Sequence, residues 1–246
     1  MRKIGGIQRR VFLIGILMGT LGFFVGMFKT KTCAQASGDF FGREEYVGKT
    51  RKGRFKKFYV QYFKPFKRVD GDKWKLKITG LCENPQEIDL VEIKKLSKKT
   101  QVSRIKCVEC WSAKAQWEGF HISHLHEKVR PLPDAEGVVF RCADSYNEYL
   151  PLNDLTHERA LLVHTMNKEP LSDEHGFPLR VIVPFKYGYK SPKAVLEMEY
   201  VKGFHLGTWS KIGPYSLDGT ILPGYDHPLD MGKKRRKIFG GEIFDY

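Results

Sequence analysis

The stretch His175-Gly-Phe-Pro-Leu-Arg-Val-Ile-Val-Pro-Phe-Lys-Tyr-Gly-Tyr-Lys-Ser-Pro-Lys193 combines a turn, a strand and a loop in nineteen residues. Gly176 marks the turn, Leu179 to Val183 form a short apolar strand, and Pro184 stops it. The chain then runs through a basic, glycine-containing loop that ends in Lys190 and Lys193. Such a loop suits a phosphate, because Arg offers a planar fork, Lys a mobile charge, and glycine lets backbone N–H groups come close. Spacing alone favours the other reading, a solvated basic hairpin.

Upstream and downstream the pattern is rich in strands. Lys73 to Gly80 alternates apolar with polar residues and places Trp74, Leu76 and Ile78 on one face. Asp89 to Leu96 reads as a short helix, and Val102 to Val108 as an extended segment leading into Cys107. Val138 to Phe140 is another short strand. Ala194 to Val201 alternates so that Val195, Glu197, Glu199 and Val201 share a face. Ile122 to Lys128 and Leu155 to Met166 are the helical candidates, and the chain after Gly203, rich in glycine and proline, reads as loops wrapped over a surface. With no internal repeat or low-complexity linker, the reading is one α+β domain of strand-rich mixed sheets and short helices. The 246 residues, 41% hydrophobic and 13% aromatic, are enough to build a substantial core.

Cys107-Val-Glu-Cys110 is a C-x-x-C, which suits a thiol-disulfide pair or half of a zinc site. A redox pair normally opens a helix, whereas Trp111-Ser-Ala and Trp117-Glu-Gly-Phe follow here. Cys82 and Cys142 supply no second pair for zinc. Burial as small apolar side chains is the third reading. Five cysteines, an odd number, argue against a disulfide framework.

The formal charge of +14, from 42 Lys and Arg against 28 Asp and Glu, requires an anionic partner of some kind. Arg9-Arg10 followed by the uncharged run Val11 to Phe28 resembles a twin-arginine export signal, with Ala34-Gln35-Ala36 as a cleavage site. An uncleaved spanning helix is the alternative. Either way the expected location is periplasmic or extracytoplasmic, which argues against nucleic acid as the anion. The expected organisation is a signal or anchor over 1–36, a basic lead-in over 37–57, and one folded domain over 58–246.

The H-G-x-P-L-R-x-x-V-P-x-K-Y-G-Y-K-S-x-K stretch and, ahead of it in the chain, Arg104-Ile-Lys-Cys-Val-Glu109 resemble two segments of the sulfite oxidase family of molybdopterin enzymes, in the order that family has them. Cys-Val-Glu-x-Trp-Ser at 107–112, Trp-x-Gly-Phe at 117–120, Thr208-Trp209 and Asp226-His227-Pro228 are similar to its branch of periplasmic methionine-sulfoxide reductases. The resemblance implies that family's fold and a molybdenum-molybdopterin cofactor. It implies Cys107 as the molybdenum-ligating thiolate, with Cys110 not required. His175 and Arg180 would contact the pterin, Ser191, Pro192 and Lys193 its phosphate end, and Tyr59, Val60 and Gln61 an early strand lining the pocket. Cys142 stands where the family would place a threonine, and His175 where the branch would place an asparagine. Sulfite oxidases follow their ligand cysteine with arginines, while this chain has Glu109 and Trp111. That favours a neutral S-oxide such as methionine sulfoxide over the sulfite dianion. Glu109 is then a candidate proton donor, or else a carboxylate in a structural hydrogen bond. Electrons would come from a haem-containing membrane cytochrome. Sulfite oxidation is the alternative within the family. A non-enzymatic basic module, binding anionic lipid or wall polymer through Lys49–Lys57 and Lys233–Lys237, is the alternative outside it.

Overall fold

The computed structural model describes residues 60, 63–64, 68–96, 98–108 and 112–222. The expected export segment, the basic lead-in, Glu109, Cys110, Trp111, Tyr59, Gln61 and the basic cluster at 233–237 lie outside them. No helix among the described residues is long and apolar enough to cross a membrane.

Among the described residues, ten strands make two sheets. The first, mixed sheet has the order β2-β1-β10-β5-β6, built from β1 (Lys75–Gly80), β2 (Gln86–Asp89), β5 (Gly137–Cys142), β6 (Asn147–Pro151) and β10 (Val195–Val201). Only β1 and β10 are parallel neighbours. The second sheet is antiparallel and runs β3-β4-β7-β8, with β9 also pairing β7. Its strands are β3 (Lys99–Lys106), β4 (Ser112–Phe120), β7 (Leu161–Met166), β8 (Glu169–Pro170) and β9 (Arg180–Ile182). The principal core joins the two, with Leu76, Ile78, Phe140, Met198 and Tyr200 from the first sheet packed in one cluster with Phe120, Leu162 and Val181 from the second. A second cluster, holding Ile105, Ala113, Ala115, Trp117, Leu161, Val163 and Ile182, gathers the alternate residues of the second sheet.

Several elements follow directly from sequence. Trp74, Leu76 and Ile78 are buried at 4%, 0% and 0% exposure, as the alternation from Lys73 predicts. The helix Leu90–Lys95 starts at a capping box. The Asp89 carboxylate accepts from the Glu92 N–H at 2.8 Å, and Glu92 reaches back to accept the Asp89 N–H. Two otherwise orphaned donors are thereby satisfied, an arrangement worth about 1 kcal/mol. The helix Ser123–Val129 occupies the segment read as helical from Ile122.

Two expectations are overturned. Leu155 to Met166 is not a helix. A single short turn, Leu152–Leu155, precedes β7, whose Leu161, Leu162 and Val163 are all fully or almost fully buried. Leu162 packs in the principal core and Leu161 and Val163 in the second cluster, so both faces of β7 are apolar and the alternation that marks a strand is absent. In β10 the shared face of Val195, Glu197, Glu199 and Val201 is interrupted. The register against β5 shifts between Val195 and Glu197, and it is Val195, Met198 and Tyr200 that are buried in the principal core.

Candidate active site

The segment 175–193 folds back on itself. The Val181 N–H donates to the Pro192 carbonyl at 2.8 Å, and Arg180 and Lys193 face each other in an antiparallel bridge. Gly176, with φ +102°, closes the turn against the returning chain. A Cβ there would stand 2.5 Å from Lys193 Cβ, so the sequence position admits glycine alone without rearrangement. The bond Phe177–Pro178 is cis. The Ser191 hydroxyl oxygen accepts from the Val183 N–H at 3.2 Å, tying the end of the loop to the end of β9.

Around this hairpin the structure brings together Cys142, His175, Arg180, Ser191, Pro192 and Lys193. Arg180 is 6% exposed. Its Nη1 donates to the His175 carbonyl at 2.9 Å, its guanidinium carbon lies 5.1 Å from the centroid of the Trp117 ring, and its Nε is buried without a hydrogen-bond acceptor. Burial pushes its pKa down to about 10, which leaves it charged at neutral pH. The Lys193 ammonium donates to the Glu174 carbonyl at 2.9 Å. Its pKa is pushed down to about 7, first by burial and then by the charge of Arg180. Cys142 ends β5 and is buried. Burial, and after it the nearby Asp144 carboxylate, hold its thiol far above the usual range, so it stays protonated. That chemistry suits a small polar contact and not a metal-binding thiolate.

Cys107 sits just past β3, half-buried and reduced. It packs against the cluster that holds Trp117, the ring Arg180 covers, and also against a second cluster of Val108, Tyr187 and Ile221. Tyr187 bridges Lys106 in parallel, and a Cβ on Gly188 would lie 3.0 Å from Ile105 Cγ2. The loop 186–193 therefore runs from beside Cys107 to beside Arg180. β4 begins at Ser112, five residues past Cys107. Among the described residues, no three His, Cys, Asp or Glu side chains are grouped to hold a metal ion. Of the expected early strand, only Val60 is described. It is half-buried and in irregular structure.

The sequence places Lys190 in the basic loop suited to a phosphate, without a role at the phosphate end, and the structure turns it away from that face. Lys190 is 2% exposed and points inward, where its Nζ donates to Glu148 Oε1 at 2.7 Å. Lys186 is also buried and pairs with Asp154 at 2.9 Å and Asp218 at 2.5 Å. Glu148 and Asp144 were missed altogether. Asp144 accepts from the N–H groups of Tyr146 at 3.1 Å and Phe63 at 2.9 Å. The signal for Glu148 is its phase in the strand, since Tyr146, Glu148 and Leu150 fall on one alternating face and all three are buried. An acid on the apolar phase of a strand requires a buried partner.

The half-buried Cys107 and the buried Arg180, whose Nε has no acceptor, stand at the two ends of one basic loop. The chain belongs to the molybdopterin-binding oxidoreductases, for residues 63–209 match the Oxidoreductase molybdopterin binding domain. It is similar to the protein-methionine-sulfoxide reductase catalytic subunit MsrP of Xanthomonas campestris pv. campestris, 31% identical over 185 residues, covering 68% of this chain and 58% of that one. The subunit of the same name from Campylobacter jejuni is 30% identical over 190 residues, covering 70% of this chain and 63% of the relative. The chain thus spans about three-fifths of the length of these curated relatives. The fold is shared with the sulfane dehydrogenase SoxCD from Paracoccus pantotrophus, at a TM-score of 0.54 and 18% identity over 60% of this chain and 42% of that one.

Proposed function

We propose that this chain is an extracytoplasmic reductase of S-oxides, methionine sulfoxide first among them, working through molybdenum-molybdopterin. The observation that carries the reading is the 30–31% identity to methionine-sulfoxide reductase subunits, which goes with a site built for an anion beside a half-buried thiol. The buried, acceptor-less Nε of Arg180 fits a cofactor phosphate, because an isolated buried cation costs several kcal/mol unless a counter-charge arrives. When bound, the group supplies two-electron oxygen-atom exchange at a metal held by soft sulfur.

Cys107 would hold the molybdenum through its sulfur, fixed by its place at the end of β3. Arg180 and Lys193 would neutralise the phosphate, with Ser191 and Pro192 shaping the approach. His175 and Cys142 would complete the polar wall around the pterin, and Tyr59, Val60 and Gln61 would close it on the early-strand side. Glu109 would offer a proton to the departing oxygen and, by its charge, discourage sulfite. Two protons and two electrons are consumed for each S-oxide converted to sulfide and water, the electrons coming from a haem-containing membrane cytochrome. Export through Arg9-Arg10 would place the chain in the periplasm.

The test is a comparison of two rates on one preparation. Holoprotein with a low-potential electron donor should reduce methionine sulfoxide or a small S-oxide faster than it oxidises sulfite. Vigorous sulfite oxidation without S-oxide reduction would overturn the substrate assignment, and a protein purified without molybdenum would overturn the enzyme assignment.

A further inference from the structure

We propose that Glu148 is a positioning residue for the cofactor-binding loop, acting through Lys190. This rests on the molybdopterin reading above and goes beyond it, because neither residue belongs to the set that would touch the cofactor.

Glu148 is fully buried and lies in β6, forty-two residues away in sequence from the lysine it pairs with. Its two carboxylate oxygens accept three hydrogen bonds. Oε1 accepts from Lys190 Nζ at 2.7 Å and from the Tyr149 N–H at 3.0 Å, and Oε2 accepts from the Tyr146 hydroxyl at 2.9 Å. Gly207 lies so close that a Cβ there would stand 2.2 Å from Oε1. The Tyr146 hydroxyl also lies 2.5 Å from the Tyr189 carbonyl, and Lys190 Nζ reaches the Tyr149 carbonyl at 3.4 Å. Residues 189 and 190 are thereby held through Lys190 to Glu148 and Tyr149 of β6, and through the Tyr189 carbonyl to Tyr146 just before it, whose single hydroxyl proton is shared with Glu148.

Those residues form the turn Gly188–Lys190, and Ser191 follows with its N–H donating to the Gly188 carbonyl at 3.0 Å. Ser191, Pro192 and Lys193 are the next three residues, with Pro192 and Lys193 paired to Val181 and Arg180. A rigid turn sets where a following extended segment points, so fixing Lys190 fixes the approach of Lys193 to Arg180. Capturing Lys190 also removes a cation from the anion-binding face. A lysine that swung outward at this point would compete with Lys193 for the same phosphate.

The experiment uses holoprotein purified from cells that make the cofactor, with pterin and molybdenum content measured per chain alongside the melting temperature. Glu148→Gln should lower pterin content at least fivefold, since the amide cannot hold the ammonium in place. The double variant Glu148→Gln with Lys190→Met should recover at least half of the lost content, because the turn is again uncharged and packed. Leu76→Ala, a core truncation remote from the loop, supplies the comparison at matched loss of melting temperature and should keep its pterin. Glu148→Gln with wild-type pterin content, or with no greater loss than Leu76→Ala, would overturn the proposal, as would a double variant no better than the single. Wild-type protein without pterin would instead bring down the molybdopterin reading, and this inference with it.

Discussion

Arg180 and Lys190 are both cations with almost no exposed surface, yet the fold treats them in opposite ways. Lys190 meets a carboxylate at 2.7 Å inside a network that leaves none of its members idle. Arg180 meets a carbonyl oxygen and the face of Trp117, neither of which carries a full negative charge, and one of its nitrogens meets nothing. Cations that serve the architecture are neutralised from within. A buried cation left without an acid is stabilised only when a ligand brings the charge, and such local instability is characteristic of binding sites. The same contrast separates the two thiols of the site, for Cys142 is sealed as a neutral thiol while Cys107 is half-buried at a strand end.

The sharpest break of this comparison is between the thiols. Cys107→Ser should abolish turnover or molybdenum content, and Cys142→Ser should retain molybdenum with a loss of activity of about tenfold or less, as expected when only one thiolate is needed beside the pterin sulfurs. Equal loss in both would place the metal elsewhere. Next come the cations. Lys190→Met leaves Glu148 buried and unpaired and should destabilise the protein by about 3 kcal/mol, read by denaturant unfolding. Arg180→Gln should act with the opposite sign on the cofactor-free chain, raising its stability by about 1 kcal/mol while lowering pterin content roughly tenfold. A destabilised Arg180→Gln protein would mean that the guanidinium serves the fold after all.

The sequence was legible where one contact or one period decides the structure. Asp89 and Glu92 are three residues apart and cap their own helix, and Leu76 and Ile78 mark their strand by alternation. The turn and strand of 175–193 were legible for the same reason, since Gly176 and the run from Leu179 to Val183 are local signals. Legibility failed where the deciding partner is distant. β7 looked helical because two core clusters, one on each side of the sheet, bury both its faces. Lys190 looked like part of a loop suited to phosphate because its counter-charge is supplied by another strand. The open donor of Arg180 is likewise invisible in sequence, as it depends on which acids the fold fails to bring near. Burial and charge pairing at long range are properties of the assembled core, and no window along the chain contains them.

Lys193 lies between the two extremes, and its proton reports which side it belongs to. Burial, and after it Arg180, disfavour its charge and together outweigh Asp144 and Glu174, which favour it, to leave the pKa at about 7. The unfolded chain keeps that proton up to the ordinary lysine range, so between about pH 7 and pH 10 the unfolded state binds more protons than the folded one. Stability of the cofactor-free protein should therefore rise with pH across this window, by about 1 kcal/mol from pH 7 to pH 8. Below pH 7 both states are protonated and this contribution levels off at its least favourable value. A bound phosphate dianion would hold the ammonium charged in the folded state and flatten the slope. Unfolding midpoints of cofactor-free protein, holoprotein and Lys193→Met between pH 7 and pH 8 test this directly. The slope should appear in the first and vanish in the other two. A slope that persists in Lys193→Met would assign the proton to another group, and one that persists in the holoprotein would remove Lys193 from the anion's partners.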